Sequence, residues 1–258
     1  MFSRESLLVD VLCTQIARMS LRSGVNRAGN WRHVEREFHV DDVIPDLVLV
    51  DHRARSSDSG LKITRKQAHV LRRVVDRPGR PITDFYQTWR GTDGLSTLLR
   101  PLITSGLLSF NEAELSLNPS ATLRNLPRSI GITAIEAKAS RWRDALAQAL
   151  SYHSFANQVF VAFPAGLIEA RPEIVEECKP IGIGVLAVSR RNVKMVSPAP
   201  YRRLWTDEWL WAISKAVGLP RTAGETMRFR LPAERITAAV PNNWAGLSEY
   251  ELLTETAI

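Results

Sequence analysis

The segment Ile44-Pro45-Asp46-Leu47-Val48-Leu49-Val50 decides how the rest of the chain is read. Its β-branched, aliphatic run lacks polar alternation, as a strand covered on both faces requires. Pro45 cannot donate to a ladder and fits only at the strand's start, which leaves Asp46 at its head. Upstream, Val34, Arg36, Phe38 and Val40 alternate with His33, Glu35, Glu37 and His39, the period of a strand with two different faces, and the acidic turn Asp41-Asp42 joins the two segments. Farther upstream, Leu7, Leu8, Val11, Leu12 and Ile16 recur at helical spacing within Glu5 to Met19. The opening order is therefore helix, strand, strand.

Downstream the composition changes at Asp51, where DHRARSSDSG is polar and turn-rich, as a linker is. Helical segments follow at Thr64 to Asp76, Thr83 to Trp89 and Gly94 to Ser105, then short strands at Leu107 to Phe110 and Glu114 to Leu117 around Asn111. Three helices and a small hairpin resemble a winged helix, with LSTLLRPLITSGLLSF matching its third helix and wing. That resemblance implies DNA binding, with Arg65, Lys66, Arg72, Arg73, Ser96, Thr97 and Arg100 as candidate contacts. The third helix offers only Arg100 with Ser96 and Thr97, too little for base reading, whereas the denser arginines suit phosphates. A solvated helix face, or a decoration docking on a protein, would have a similar pattern.

Beyond Pro119 the first kind of element returns: a strand at Ile130 to Lys138, a helix at Trp142 to Ala156, strands at Val159 to Phe163 and Ile181 to Val188, and a short one at Lys194 to Val196. A Trp-rich helix follows at Trp205 to Val217, with packing against the core as the simplest use of Trp205, Trp209 and Trp211.

Pro45-Asp46 heads one strand and Glu136-Ala137-Lys138 ends another. Phosphodiester hydrolysis needs hard oxygen ligands for Mg²⁺ and a way of generating hydroxide, and Asp46 and Glu136 supply such ligands. Strand alternation points Glu136 and Lys138 the same way, so the ammonium can sit beside the water or phosphate. These residues resemble the PD-(D/E)XK nuclease superfamily, whose core is a helix, a hairpin, a third strand, a helix and a fourth strand. The resemblance covers residues 1 to about 50 and about 130 to 190. It implies a restriction-endonuclease-like α/β core, a central mixed sheet flanked by helices. It also implies Mg²⁺ or Mn²⁺ on Asp46, Glu136 and the Ala137 carbonyl, and a water-orienting or activating Lys138. A further acid comes from Glu5, Glu35 or Glu37. Gln148 and Tyr152, four apart on the next helix, look like the QxxxY accessory motif of the RecB-like branch, which contacts the metal site or the nucleic acid backbone; they could equally be a buried polar pair. The expected domains are residues 1–52 with 128–258 for the nuclease-like part and 60–120 for an inserted winged-helix (α+β) module.

The bulk numbers agree with this. The 258 residues are 45% hydrophobic, enough for real cores, and Lys plus Arg exceed Asp plus Glu by 34 to 27, which fits a polyanion partner. Only Cys13 and Cys178 are present, so neither disulfides nor cysteine zinc ligation is expected, and the setting reads as reducing and intracellular; the expected location is cytoplasmic, in a prokaryote. No segment reads as a signal peptide or membrane span. The five histidines lack zinc spacing, and there is no phosphate-binding GxxxxGK[ST] loop and hence no expected nucleotide cofactor. Gly182-Ile183-Gly184 imitates a dinucleotide fingerprint inside an apolar strand and is set aside. The leading expectation is a metal-dependent deoxyribonuclease acting on DNA, with a homodimer or partner subunit possible. The rival expectation is a catalytically inactive nuclease-fold protein that binds DNA or scaffolds through its winged helix; a regulator acting only through protein contacts is the third.

Overall fold

A computed structural model describes residues 5–16, 31–52, 60–86 and 92–221, with a few positions beyond. Two compact units divide the described residues: one holds those up to Arg72 together with Ala121–Arg221, the other Arg73–Ser120 and the few described positions beyond 221.

The first unit is mixed α/β, with a central mixed sheet flanked by helices. It opens with α1 (Glu5–Ile16), β1 (Trp31–Arg36) and β2 (Leu47–His52), and resumes with α5 (Ala121–Ser129), β6 (Ile130–Ala137), α6 (Trp142–Ser151) and β7 (Gln158–Pro164). It continues through α7 (Ala165–Ala170), α8 (Glu173–Cys178), β8 (Ile183–Val188), β9 (Val193–Ser197) and α9 (Asp207–Ala216). The six strands lie in the order β1-β2-β6-β7-β8-β9. Pairing is antiparallel from β1 to β6, parallel from β6 to β8, and antiparallel again at β9.

Every residue of β2, β6 and β7 is buried, which is why their sequences run apolar without alternation. On one face Leu8, Val9, Leu12 and Ile16 of α1 pack against Leu47, Leu49, Ile135, Ala137, Phe160 and Leu186. On the other, α6 buries Trp142, Ala145, Leu146 and Ala149. The Cβ that an alanine at Gly184 would carry falls 2.4 Å from the Phe160 ring, so this glycine serves strand packing rather than a nucleotide. Gly60 and Gly218 (φ +76°) let two backbones touch, where Leu61 and Leu219 exchange hydrogen bonds of 2.8 and 2.9 Å and pin the segment before residue 65 to the end of α9.

The helix α2 (Arg65–Asp76) contains the boundary between the units. In the second unit β3 (Arg80–Pro81), α3 (Thr83–Tyr86), α4 (Thr92–Thr104), β4 (Leu108–Asn111) and β5 (Ser116–Pro119) follow, with a three-stranded sheet in the order β3-β5-β4. Asn111 Oδ1 accepts from the Ala113 and Glu114 amides and shapes the hairpin turn.

The observed elements differ from the sequence reading in informative places. The strand expected at His33 to Val40 ends at Arg36, because Glu37 takes a left-handed φ of 48°. The helix expected through Ala156 turns into a 3₁₀ turn at Tyr152–Ser154. The helix α5 lies in a stretch for which the sequence predicts no element, and Leu123, Leu126 and Pro127 are its buried residues. Short α7 and α8 and the two-residue β3 also escaped the sequence reading, being too brief to display a period. The expected helix ends at Met19 and Trp89 lie outside the described residues.

Candidate active site

Asp46 precedes β2, and Lys138 follows β6, its amide still donating to Ala162 O at 3.1 Å. Because β2 and β6 are antiparallel with Leu47 opposite Ile135, the head of one strand meets the tail of the other. Asp46 Oδ2 accepts from the Ala137 amide at 2.7 Å, a bond that ties the two ends together. This bond uses the Ala137 N–H and does not involve its carbonyl, the atom that the resemblance implies as a metal ligand.

Glu136 alternates away from Ile135 and Ala137 and is 2% exposed. Lys138 Nζ lies 2.8 Å from its Oε1, and the Tyr152 hydroxyl donates to its Oε2 at 2.5 Å. Tyr152 is itself 2% exposed, and its oxygen also lies 3.4 Å from Ile44 O, just upstream of Asp46. Glu5 Oε2 is 3.6 Å from Lys138 Nζ, so the ammonium bridges a strand acid and the first residue of α1.

Of the three rival acids, Glu5 and Glu37 adjoin the cluster and Glu35 does not. The exposed Glu37 carries its charge close enough to act on Asp46, and its amide donates to Asp46 O at 3.1 Å. Glu35 instead lies 3.4 Å from His33 Nε2. The left-handed backbone at Glu37 separates two carboxylates that strand alternation would have placed together.

Gln148 does not join either. It shares a helix with Tyr152 but is exposed, and its side chain makes no hydrogen bond to the cluster among the described residues. At about 100° per residue the buried stripe of α6 is centred near Ala145 and Ala149, and Gln148 falls on its flank.

The electrostatics are unbalanced. Burial raises the Asp46 carboxyl above its ordinary range, and Glu5 and Glu37 raise it further against the opposing Ala137 N–H and Lys138. Glu136 is raised by burial and then by Asp46, against the bonds from Lys138 and Tyr152. Burial would lower Lys138, but its bond to Glu136 and the fields of Glu136, Asp46 and Glu5 outweigh that, so its ammonium is held above the ordinary value. Burial and the Glu136 bond also raise the Tyr152 phenol, which stays protonated as a donor. Four carboxylates thus act around one ammonium.

The donor set is all oxygen, which suits a hard cation such as Mg²⁺ or Mn²⁺. Among the described residues, no three His, Cys, Asp or Glu side chains are gathered closely enough to hold an ion on their own. Magnesium is commonly held by one or two carboxylates with waters and substrate oxygens completing the shell, so Asp46 and Glu136 fit that demand.

Several of the candidate DNA contacts are already engaged. In the first unit Arg65 bonds Asp41, lies 3.5 Å from Glu208 and sits over the Trp211 ring, and Arg72 lies 3.8 Å from Asp207. Lys66 is exposed. In the second unit the Arg73 guanidinium lies 5.9 Å from the Phe85 ring centre, Thr97 and Arg100 are exposed, and Ser96 is half-buried. Trp209 is fully buried and stacks edge-on with Trp205, as core packing requires. No described helix is long and apolar enough to cross a membrane.

No family model and no curated protein matches the chain. Among solved structures it is similar to a protein of unknown function from Silicibacter pomeroyi, at 25% identity and a TM-score of 0.26, over 33% of this chain and 55% of that one. The chain therefore spans about half the length of that neighbour.

Proposed function

We propose that the chain is a Mg²⁺- or Mn²⁺-dependent deoxyribonuclease with a restriction-endonuclease-like core and an inserted winged-helix module. The observation that carries this reading is the meeting of Asp46, Glu136 and Lys138 at the carboxyl end of β6, with Glu5 and Glu37 beside them and negative charge in excess. Supporting it are the order α1, β1, β2, β6, α6, β7, which parallels the superfamily core, and the helices and β4–β5 hairpin of the second unit, which parallel a winged helix.

Asp46 and Glu136 hold the cation, and Glu5 or Glu37 supplies the further acid. The bound cation supplies Lewis-acid chemistry toward the phosphodiester and eases formation of hydroxide at neutral pH. Lys138 stays charged, so it orients the attacking water and meets phosphate charge, and it does not take a proton. Tyr152 fixes the orientation of the Glu136 carboxylate by donating to one oxygen, a bond that favours its ionised form against burial. The Ala137 amide does the same for Asp46.

The test is cleavage of DNA in Mg²⁺ by the intact chain and by the double variant Asp46→Ala with Glu136→Ala. Cleavage lost with the fold retained supports the reading; equal cleavage by the variant removes it. One observation favours a second reading. Lys138 bridges Glu136 and Glu5, and no three acids surround an ion-sized space among the described residues. A protein using its ammonium as a permanent counter-ion would bind DNA or scaffold without cutting, and would bind DNA in a gel shift while giving no heat with Mn²⁺.

A further inference from the structure

A hydrolase for a polyanion must grip the phosphates that flank the one it cuts, and Arg65 and Arg72 are committed to acids of their own unit. We propose that the turn Ser189–Asn192, between β8 and β9, is the phosphate-backbone grip beside the carboxylate cluster, with Arg190 and Arg191 as its contacts. This rests on the nuclease reading above.

The sheet register places the turn. Ala137 pairs with Ala162, and Ala162 with Leu186, so the three lie in one row across parallel strands. Residues 189–192 project beyond that row at the same sheet end as Lys138. Two strand spacings separate β6 from β8, about 10 Å. That is about three base steps along a nucleic acid axis, within reach of a phosphate near the scissile one.

The turn is built to hold two arginines at its tip. Ser189 N donates to Asn192 O at 2.8 Å, Ser189 Oγ to the same oxygen at 3.0 Å, and Asn192 N to Ser189 Oγ at 3.1 Å. A small, doubly closed turn leaves only the side chains of Arg190 and Arg191 to order on binding, and guanidinium forks match phosphate oxygens. Both are exposed, and neither has an ion pair among the described residues. Arg141 and Arg143, at the same end, are instead near Asp144 and Glu177 at 3.3 and 3.9 Å. From Lys179 to Thr206 the chain contains no Asp or Glu, so nothing in sequence around the turn offsets its charge.

The experiment is fluorescence anisotropy of a labelled DNA duplex with the full chain in EDTA, over a range of salt. The wild type is compared with Arg190→Gln/Arg191→Gln, with the charge-keeping Arg190→Lys/Arg191→Lys, and with Arg124→Gln/Arg128→Gln. The last pair is exposed on α5, which leads into the opposite end of β6. Two lost phosphate contacts make the slope of log affinity against log salt shallower by about 1.8. The expected result is that change in the first variant alone, with wild-type melting in all. An unchanged slope in Arg190→Gln/Arg191→Gln, or an equal change in Arg124→Gln/Arg128→Gln, overturns the grip while leaving the nuclease reading intact. A wild type that fails to bind at low salt overturns both.

Discussion

The two ends of β6 each bury a polar cluster, and they are built on opposite principles. At the amino end Asn157, fully buried, is saturated: its Oδ1 accepts from Ile132 N at 2.7 Å and Trp209 Nε1 at 2.8 Å, and its Nδ2 donates to Arg202 O at 2.7 Å. Its backbone exchanges further bonds with Ile132 and Arg202. At the carboxyl end Asp46 and Glu136 are also hydrogen-bonded, but their charges are not offset and both carboxyls are pushed up. A neutral, satisfied cluster stabilises a fold, whereas an unbalanced one destabilises it and marks a candidate functional site, which the proposal above assigns to a cation.

The comparison can be broken most forcefully at the carboxyl end. Asp46→Ala with Glu136→Ala should lower Mg²⁺-dependent cleavage by about a thousandfold or more, several kcal/mol of transition-state stabilisation, as read in single-turnover assays with melting checked alongside. At the amino end, Asn157→Ala strands two buried donors and an acceptor. It should cost about 3–4 kcal/mol in urea unfolding and leave cleavage per folded molecule unchanged. If that variant lost activity without losing stability, the division of labour between the two ends would be wrong.

Tyr152→Phe sharpens the contrast on a smaller scale. Loss of a buried bond to a carboxylate should cost about 1–2 kcal/mol. It also removes an influence that lowers Glu136, so the acid limb of the pH–rate profile should move to higher pH. The mildest effect on stability is expected from Asp46→Asn, which keeps an acceptor for the Ala137 amide. The folded-state pKa of Asp46 is raised, so its contribution to stability is present below the ordinary carboxylate range and is lost as pH rises through the folded value. Metal-free Asp46→Asn should therefore melt higher than wild type at pH 8, with the difference vanishing near pH 4. A lower melting point at pH 8 would contradict the electrostatic account.

The strands that carry the site were legible because burial and period leave a plain trace. Leu47 to Val50 and Ile130 to Ala137 run apolar, and the pair Glu136 and Lys138 follows from strand alternation alone. Tyr152 was reachable through helical spacing from Gln148, but the same spacing could not say that only Tyr152 lies on the buried stripe. The choice among Glu5, Glu35 and Glu37 was illegible because it depends on one left-handed residue and on where α1 meets the sheet. The Asn157 cluster gave no sequence signal: its partners at 132, 202 and 209 are joined only by the fold. A local clue existed for the β8–β9 turn, the Arg190-Arg191 pair in an acid-free stretch, but its meaning needed the strand order.

The most direct measurement is calorimetric titration of Mn²⁺ into the metal-free chain, in buffers of differing ionisation enthalpy. Saturable heat with proton release that grows as the pH is lowered, both absent in Asp46→Ala with Glu136→Ala, is the predicted result, because a bound cation would drive protons from carboxyls that burial holds high. No saturable heat in the wild type would contradict the account and leave Lys138 as the cluster's only cation.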